Sequence, residues 1–237
     1  MKTWMSACIA CLVLGACTIP AIRVDPNLQT DADVYPVDGR QGWQIRQVLS
    51  FGEFHSGPVK RGWTRGYDYP FILRFSGASE KLEFTTTGPS GSRADVFVLG
   101  KLSEIDFTKF RQFFDVNLRS NDVFAGTVAL APSRHCDFYV DDLNQNVTAG
   151  ETRGVITGLG ADIEIRPIWH LENGTRSWDT RPLGFEFVEN GVVTGAVETV
   201  NDGRVWLNRE LADEKRLVIA SVASALLLRS DLADHND

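Results

Sequence analysis

The sequence predicts a mainly β fold, an antiparallel β-sandwich or open barrel with a C-terminal helix; an α+β arrangement is the alternative. Three observations predict it. From Trp43 onward, short apolar runs alternate with polar residues at a period of two, which turns one face of each strand toward a core. These runs are punctuated by Gly, Pro, Asn and Asp, residues that make turns. Residues 208–232, in contrast, contain neither Gly nor Pro. With 237 residues, 43% of them hydrophobic, the chain can bury one sizeable core.

Taken in order, the first element is a leader. Lys2 is the only charge before Cys17, and Trp4 begins an apolar, small-residue run too short to span a membrane. It ends in Leu14-Gly15-Ala16-Cys17, which resembles the lipobox of bacterial lipoproteins. The resemblance implies that the Cys17 sulfur receives a diacylglyceryl group, that residues 1–16 are cleaved as a signal peptide, and that the new amine is acylated. Several acyl chains on one residue anchor stably where a single chain binds only marginally. Thr18 stands where an Asp tends to hold enterobacterial members at the inner membrane, so the resemblance implies the inner leaflet of the outer membrane, facing the periplasm. The competing readings are an ordinary signal peptide cut slightly later and an uncleaved anchor.

Cysteine usage agrees with an exported protein. Cys8 and Cys11 leave with the leader and Cys17 is alkylated, so Cys136 remains as a free thiol and no intrachain disulfide forms. Were Cys17 not lipidated, a Cys17–Cys136 bridge would compete. Loss of residues 1–16 removes Lys2 alone and leaves 23 basic against 31 acidic residues, a net charge of −8. An acidic surface disfavours nucleic acid and anionic lipid as general partners.

Residues 17–42 carry three prolines, several Asp and little apolar periodicity, and read as a lipidated N-terminus and tether. A single β-rich domain is expected over 43–237. Within it "FILRFSG" and "KLEFTTTGPSGSRADVFVLG" read as strands, the second a hairpin, followed by "VFAGTVALAPS", "HCDFYVDD" and "RGVITGLGADIEIRPIW". "LGFEFVENGVVTGAVETVNDGRVWLN" is a meander whose "ENG" and "NDG" supply positive φ. In "DFTKFRQFFDVNL" the residues Phe107, Phe110 and Phe114 fall at helical spacing behind Asp106, a candidate cap. A last helix is expected over 209–229, opening behind Asn208 and holding an uncharged run at 217–228 that is too short to cross a bilayer and is expected to pack on the sheet.

Few motifs carry chemistry. His135 and Cys136 are neighbours on one strand and point to opposite faces, so they do not form a base–nucleophile pair, and Cys136 shares its apolar face with Phe138 and Val140. His135, Asp137, Tyr139 and Asp141 share the other face, which reads as polar and solvent-facing, although the same residue types could serve a metal or acid–base chemistry. Asp142-x-Asn144-x-Asn146 starts like a calcium loop but has Val147 for the turn glycine and Arg153 for the bidentate acid. "GPSGSR" and "TGLGAD" lack the residues of phosphate- and dinucleotide-binding loops. "NVT" and "NGT" match glycosylation acceptors and mark exposed loops.

One stretch stands out in composition. In "GPVKRGWTRGYDYPFILRF", Lys60, Arg61 and Arg65 interleave with Trp63, Tyr67 and Tyr69, and flat aromatics beside cations suit sugar rings and anionic glycan or lipid head groups. The competing reading continues the alternation through Phe71, Leu73 and Phe75 into the core, with the charges on a solvated loop. No catalytic set, metal set or cofactor loop survives these comparisons. The expected function is therefore a lipid-anchored, non-enzymatic binding or assembly module with an envelope glycan, lipid or protein partner. A hydrolase of envelope polymers, built from scattered Asp, Glu and His, is the rival, and a scaffold for another envelope protein is the third reading. Replacing Cys17 by Ser should release the protein from membranes or leave the precursor unprocessed; a wild-type mature N-terminus found unmodified at another residue would overturn the lipobox reading.

Overall fold

Turn chemistry sets where the strands begin and end. Asn190 and Gly191 adopt φ of 51° and 81° between β11 (Gly184–Glu189) and β12 (Val192–Glu198), the pair of positive values that matches a two-residue turn to strand twist. Asn201 and Gly203, with φ of 54° and 90°, turn the chain from β12 into β13 (Arg204–Asn208). "GPSGSR" is the turn between β5 (Glu80–Thr87) and β6 (Arg93–Gly100), which pair along their whole length from Glu80–Gly100 to Thr87–Arg93.

The computed structural model describes residues 20–40, 47–62, 80–100, 108, 123–131, 133–141, 151–178 and 181–233. Among them a short helix α1 (Pro26–Asp31) leads into β1 (Ala32–Pro36), followed by β2 (Ser50–Phe51), β3 (Phe54–Ser56) and β4 (Lys60–Arg61). After β5 and β6 come β7 (Val123–Ala131), β8 (Arg134–Asp141), β9 (Gly154–Thr157) and β10 (Ile163–Ile168), then β11 to β13 and a final helix α2 (Asp213–Ala233). The strand expected at "FILRFSG" and, apart from Thr108, the helix expected at "DFTKFRQFFDVNL" lie outside the described residues.

The strands form one antiparallel sheet in the order β1-β13-β12-β11-β10-β9-β8-β7-β6-β5-β3-β2, with β4 also paired to β5. β3 meets the Thr86–Thr87 end of β5 and β4 meets its Leu82–Glu83 end, so the two share one place. That leaves twelve places around the sheet, an even number, which lets every neighbour be antiparallel. The ends meet where Asp38, just past β1, exchanges backbone hydrogen bonds of 2.9 and 3.1 Å with Ser50 of β2. The sheet is thereby nearly closed into a barrel, which covers the two edges that an open sheet would expose.

A barrel of about eight strands is filled by its own side chains, whereas one of about sixteen encloses a channel. A ring of intermediate size leaves a lumen that something else must fill. Here α2 fills it. Residues 217–228 are all buried, and twelve successive residues span more than three turns, so every side of the helix is covered. Residues from both arcs of the ring pack on it, including Val205, Leu207 and Val197 on one side and Phe54, Phe84, Val96, Val98, Phe124 and Phe138 on the other. Its middle is lined with small residues, and the buried Ser221 and Ser224 hydroxyls donate to the carbonyls of Leu217 and Ala220 at 2.8 and 2.9 Å, so no polar group is stranded. On β7, Gly126 lies under the Phe138 ring, and a Cβ there would stand 2.4 Å from the Phe97 carbonyl oxygen.

The helix therefore differs from expectation in place and bounds. It lies inside the barrel, because apolar residues all round its axis demand cover on all sides. It starts at Asp213, since Asn208 accepts from the Glu210 amide and shapes the preceding turn. Its first turns are tied to the rim: Arg134 pairs with Glu214, Lys215 with Glu189, and Arg216 reaches Asp33 at 3.3 Å and the Tyr35 hydroxyl at 3.1 Å. Among the described residues no helix is long and apolar enough to cross a membrane.

The segment read as tether is also part of the fold. Asp25 caps α1 through the Asn27 amide, with Pro26 at the first helical position, and β1 pairs with β13 from Ala32–Asn208 to Pro36–Arg204. Ile22, Val24 and Leu28 pack outside the barrel on Ile168, Leu171, Leu183, Ala196 and Trp206, each contributing roughly 1.5–3 kcal/mol by burial. Residues 21–38 are thus a strap laid on the outer wall and continued into the ring, and the folded unit starts before residue 43.

Leu227 is fully buried near Gly203 at the far end of the lumen. Leu227→Ala should cost about 2–5 kcal/mol in denaturant unfolding, whereas Val192→Ala, at an exposed turn, should cost under about 0.5 kcal/mol. Deleting residues 209–237 should abolish cooperative unfolding altogether.

Candidate functional site

The wall at β7 to β10 carries the most concentrated chemistry among the described residues. Strand alternation sends Cys136, Phe138 and Val140 of β8 into the lumen. Burial, helped by the charges of Glu214 and Asp137, pushes the Cys136 thiol up to about 12, so it is protonated and inert at neutral pH. His135 lies exposed on the other face and makes no pair with it.

That outer face is not the solvated row its alternation suggests: Asp137 and Asp141 are both buried, and Tyr139 is partly so. Asp137 Oδ1 accepts from the buried Thr127 hydroxyl at 2.6 Å, across the β7–β8 pair, and Oδ2 lies 3.8 Å from His135 Nε2. Burial raises the Asp137 carboxyl above its ordinary value, against the hydrogen bond from Thr127 and the nearness of His135. Tyr139 is raised as well, by burial and by the charge of Asp141. A buried carboxyl whose hold on a proton is strengthened, next to an imidazole, is the kind of group that gives and takes protons.

Two residues further along the same face, Asp141 Oδ2 lies 3.7 Å from the buried Arg153 guanidinium, which also reaches Glu151 at 3.3 Å. Arg153 Nε is buried without a hydrogen-bond partner. The residue standing where a calcium loop needs an acid is thus a cation clamped by acids; the start of that loop, residues 142–146, lies outside the described residues. Asp137 and Asp141 are four strand residues apart, about 13 Å, too far to share a proton or an ion. Among the described residues no three His, Cys, Asp or Glu side chains converge as metal ligands.

Of the aromatic-basic island, Lys60 and Arg61 are described. Both are exposed on β4; Lys60 Nζ pairs with Glu83 at 3.2 Å, and Arg61 donates to Gln47 Oε1 at 3.0 Å. Sheet pairing to β5 orients them, and a salt bridge exposed on its lysine side is weak and exchangeable. Trp63, Arg65, Tyr67, Tyr69 and the proposed lipidation site Cys17 lie outside the described residues.

Two residues that sequence reasoning passed over also bear on function. Glu198 is fully buried on the outer wall: Oε1 accepts from Asn201 Nδ2 at 2.8 Å, while Oε2 has no hydrogen-bond partner and lies 3.8 Å from Arg204 Nε. Trp178 is 97% exposed, whereas Trp169 and Trp206 are buried. Its signal was present in "GTRSWDTR", a lone tryptophan between arginines in a run of turn residues. The chain matches no protein family, no curated protein and no solved structure.

The raised Asp137 carboxyl sets a pH dependence of stability. A folded-state value above the unfolded one contributes stability below the unfolded pKa, and that contribution is lost as pH rises through the folded value. Asp137→Asn keeps an acceptor for Thr127 and removes the ionisation. The variant should match the wild type in thermal stability in acid and exceed it at neutral pH; a wild type that gains on the variant as pH rises would contradict this account.

Proposed function

We propose that this chain is a lipid-anchored protein of the bacterial cell envelope, facing the periplasm from the outer membrane, and that its barrel is a non-enzymatic binding or assembly module. The observation that carries the reading is the helix in the lumen. A barrel whose interior is packed with its own C-terminus offers a ligand the outer wall and the rims. On that wall, β4 presents Lys60, with Arg61 exposed next to it on the opposite face of the strand, at the start of the aromatic-basic stretch, which suits an anionic glycan or lipid head group. The strap supports the anchor reading, since the chain next to Cys17 is joined to a rigid body. A scaffolding role loses its most natural docking element, because the apolar face of α2 is inside the barrel.

The hydrolase reading is kept alive by one observation, the Asp137 carboxyl held between Thr127 and His135. A single experiment separates the two. When the protein is titrated with anionic glycan fragments of the envelope, Lys60→Ala/Arg61→Ala should weaken binding several-fold, with the loss shrinking as salt is added. Glycan recovered intact favours the module. Glycan shortened by the wild type and spared by Asp137→Asn would favour the hydrolase, and unchanged affinity in the double variant would overturn the role given to β4.

A further inference from the structure

We propose that the hairpin formed by residues 169–178 is the surface with which the anchored barrel rests on the bilayer, and that Trp178 enters the phospholipid head-group layer. The proposal rests on the lipid-anchor reading and adds to it which face of the barrel meets the membrane.

The first observation is the exposure of Trp178, at 97%. A tryptophan carries a large apolar ring and one N–H donor, and the layer where lipid head groups meet acyl chains satisfies both. The second is its place. Residues 21–23 run beside residues 170–172: the Glu172 amide donates to the Ala21 carbonyl at 2.9 Å, the Arg23 amide donates to the His170 carbonyl at 2.8 Å, and Ile22 bridges Leu171. The return arm is held by the Ser177 amide on the Trp169 carbonyl at 2.7 Å and by the His170–Arg176 bridge. Trp178 follows that arm directly, about two strand spacings, or 10 Å, from the strap.

The third is chain length. Three residues separate Cys17 from Ala21, four steps of chain with a reach of at most about 14 Å. Acyl chains on Cys17 therefore keep Ala21, and the hairpin arm bonded beside it, within about 14 Å of the anchor, close enough for the hairpin to reach the head groups. Ile22 is fully buried and fixes the strap at that point. The charges suit a lipid surface as well. The chain beyond residue 16 has a net charge of −8, which an anionic bilayer repels. Residues 169–181 are close to neutral, with Arg176 and Arg181 against Glu172 and Asp179, and Arg23 is exposed next to them. The hairpin is a part of the body that can approach phosphates without penalty.

The test uses the protein extracted from membranes after expression of the full chain, reconstituted into phosphatidylcholine vesicles with or without brominated acyl chains. N-terminal peptide mass reports the anchor, and quenching of tryptophan emission by the brominated lipid reports the hairpin. The expected result is an acylated Cys17 and a lipid-quenched fraction of emission that is lost in Trp178→Ala, with the same amount of protein bound to vesicles. An acylated protein whose quenched fraction is unchanged by Trp178→Ala overturns the hairpin proposal and leaves the anchor reading standing. An unacylated N-terminus overturns the anchor reading and the proposal with it.

Discussion

A ring with twelve strand places cannot fill its own centre, and the structure depends on the helix that does. Residues 217–228 have no polar side to offer water, so α2 has no stable position outside the barrel, and the barrel has no core without α2. The composition of the helix follows from this double demand. Leu and Ile reach toward the wall, while Ala220, Ser221, Ala223, Ser224 and Ala225 keep its middle slim, and the two hydroxyls bond back to the helix itself. Substituting larger residues there would push against a closed wall, because interiors are packed to near crystal density.

The same constraint orders folding. The helix is the last element in the chain, and β1 pairs with β13, so neither core nor closure is complete until both ends of the described chain meet. Closing such long loops before the contacts repay the entropy makes folding slow. The rim ion pairs are placed to guide the last step. Asp33 of β1 binds both Arg209 and Arg216, at 3.0 and 3.3 Å, so one carboxylate joins the first strand, the turn after the last strand, and the first turns of the helix. Although desolvation works against it, the hydrogen bonds from Arg209, Arg216 and Tyr35 hold that carboxyl below its ordinary value.

What could be read from the sequence was local. The β5–β6 hairpin and the β11–β12–β13 meander were legible because Gly88-Pro89-Ser90-Gly91 in the first, and Asn190-Gly191 and Asn201-Asp202-Gly203 in the second, state their own backbone conformation. The existence of α2 was legible for the same kind of reason, and its place was not, since apolar residues spread round a cylinder look like a broad stripe until closure of the sheet shows what surrounds them. The strap was misread because prolines and aspartates dominate its composition. Asp25-Pro26 was nonetheless a helix start, and Ile22, Val24 and Leu28 were an apolar face too short to register as periodic. At β8, alternation correctly separated Cys136 from His135, but it reports only which side a residue faces. Whether Asp137 on that side meets water depends on the neighbouring strands and on what covers them.

The titrating carboxyls of the wall divide into two sets with opposite consequences. Asp137, Glu186 and Glu198 are all raised by burial, and each accepts from a neutral donor: the Thr127 hydroxyl, the Asp25 amide and the Asn201 side-chain amide. Asp33 and Glu164 are lowered, the first against desolvation by its arginines, the second chiefly by the Thr152 hydroxyl and Arg166. By linkage the raised set stabilises in acid and its contribution is lost as pH rises through the folded values, while the lowered set stabilises above the unfolded values and is lost as pH falls through the folded ones. The losses fall in different places. Falling pH acts at the Asp33 clamp, where strap, ring and helix meet, and at Glu164 on β10; rising pH acts at Asp137 on β8, at Glu186, which receives the Asp25 amide, and at the fully buried Glu198. Asp33 and Glu186 thus couple pH to the attachment of the N-terminal strap, whereas the α2 side chains in the lumen are all uncharged between residues 217 and 228.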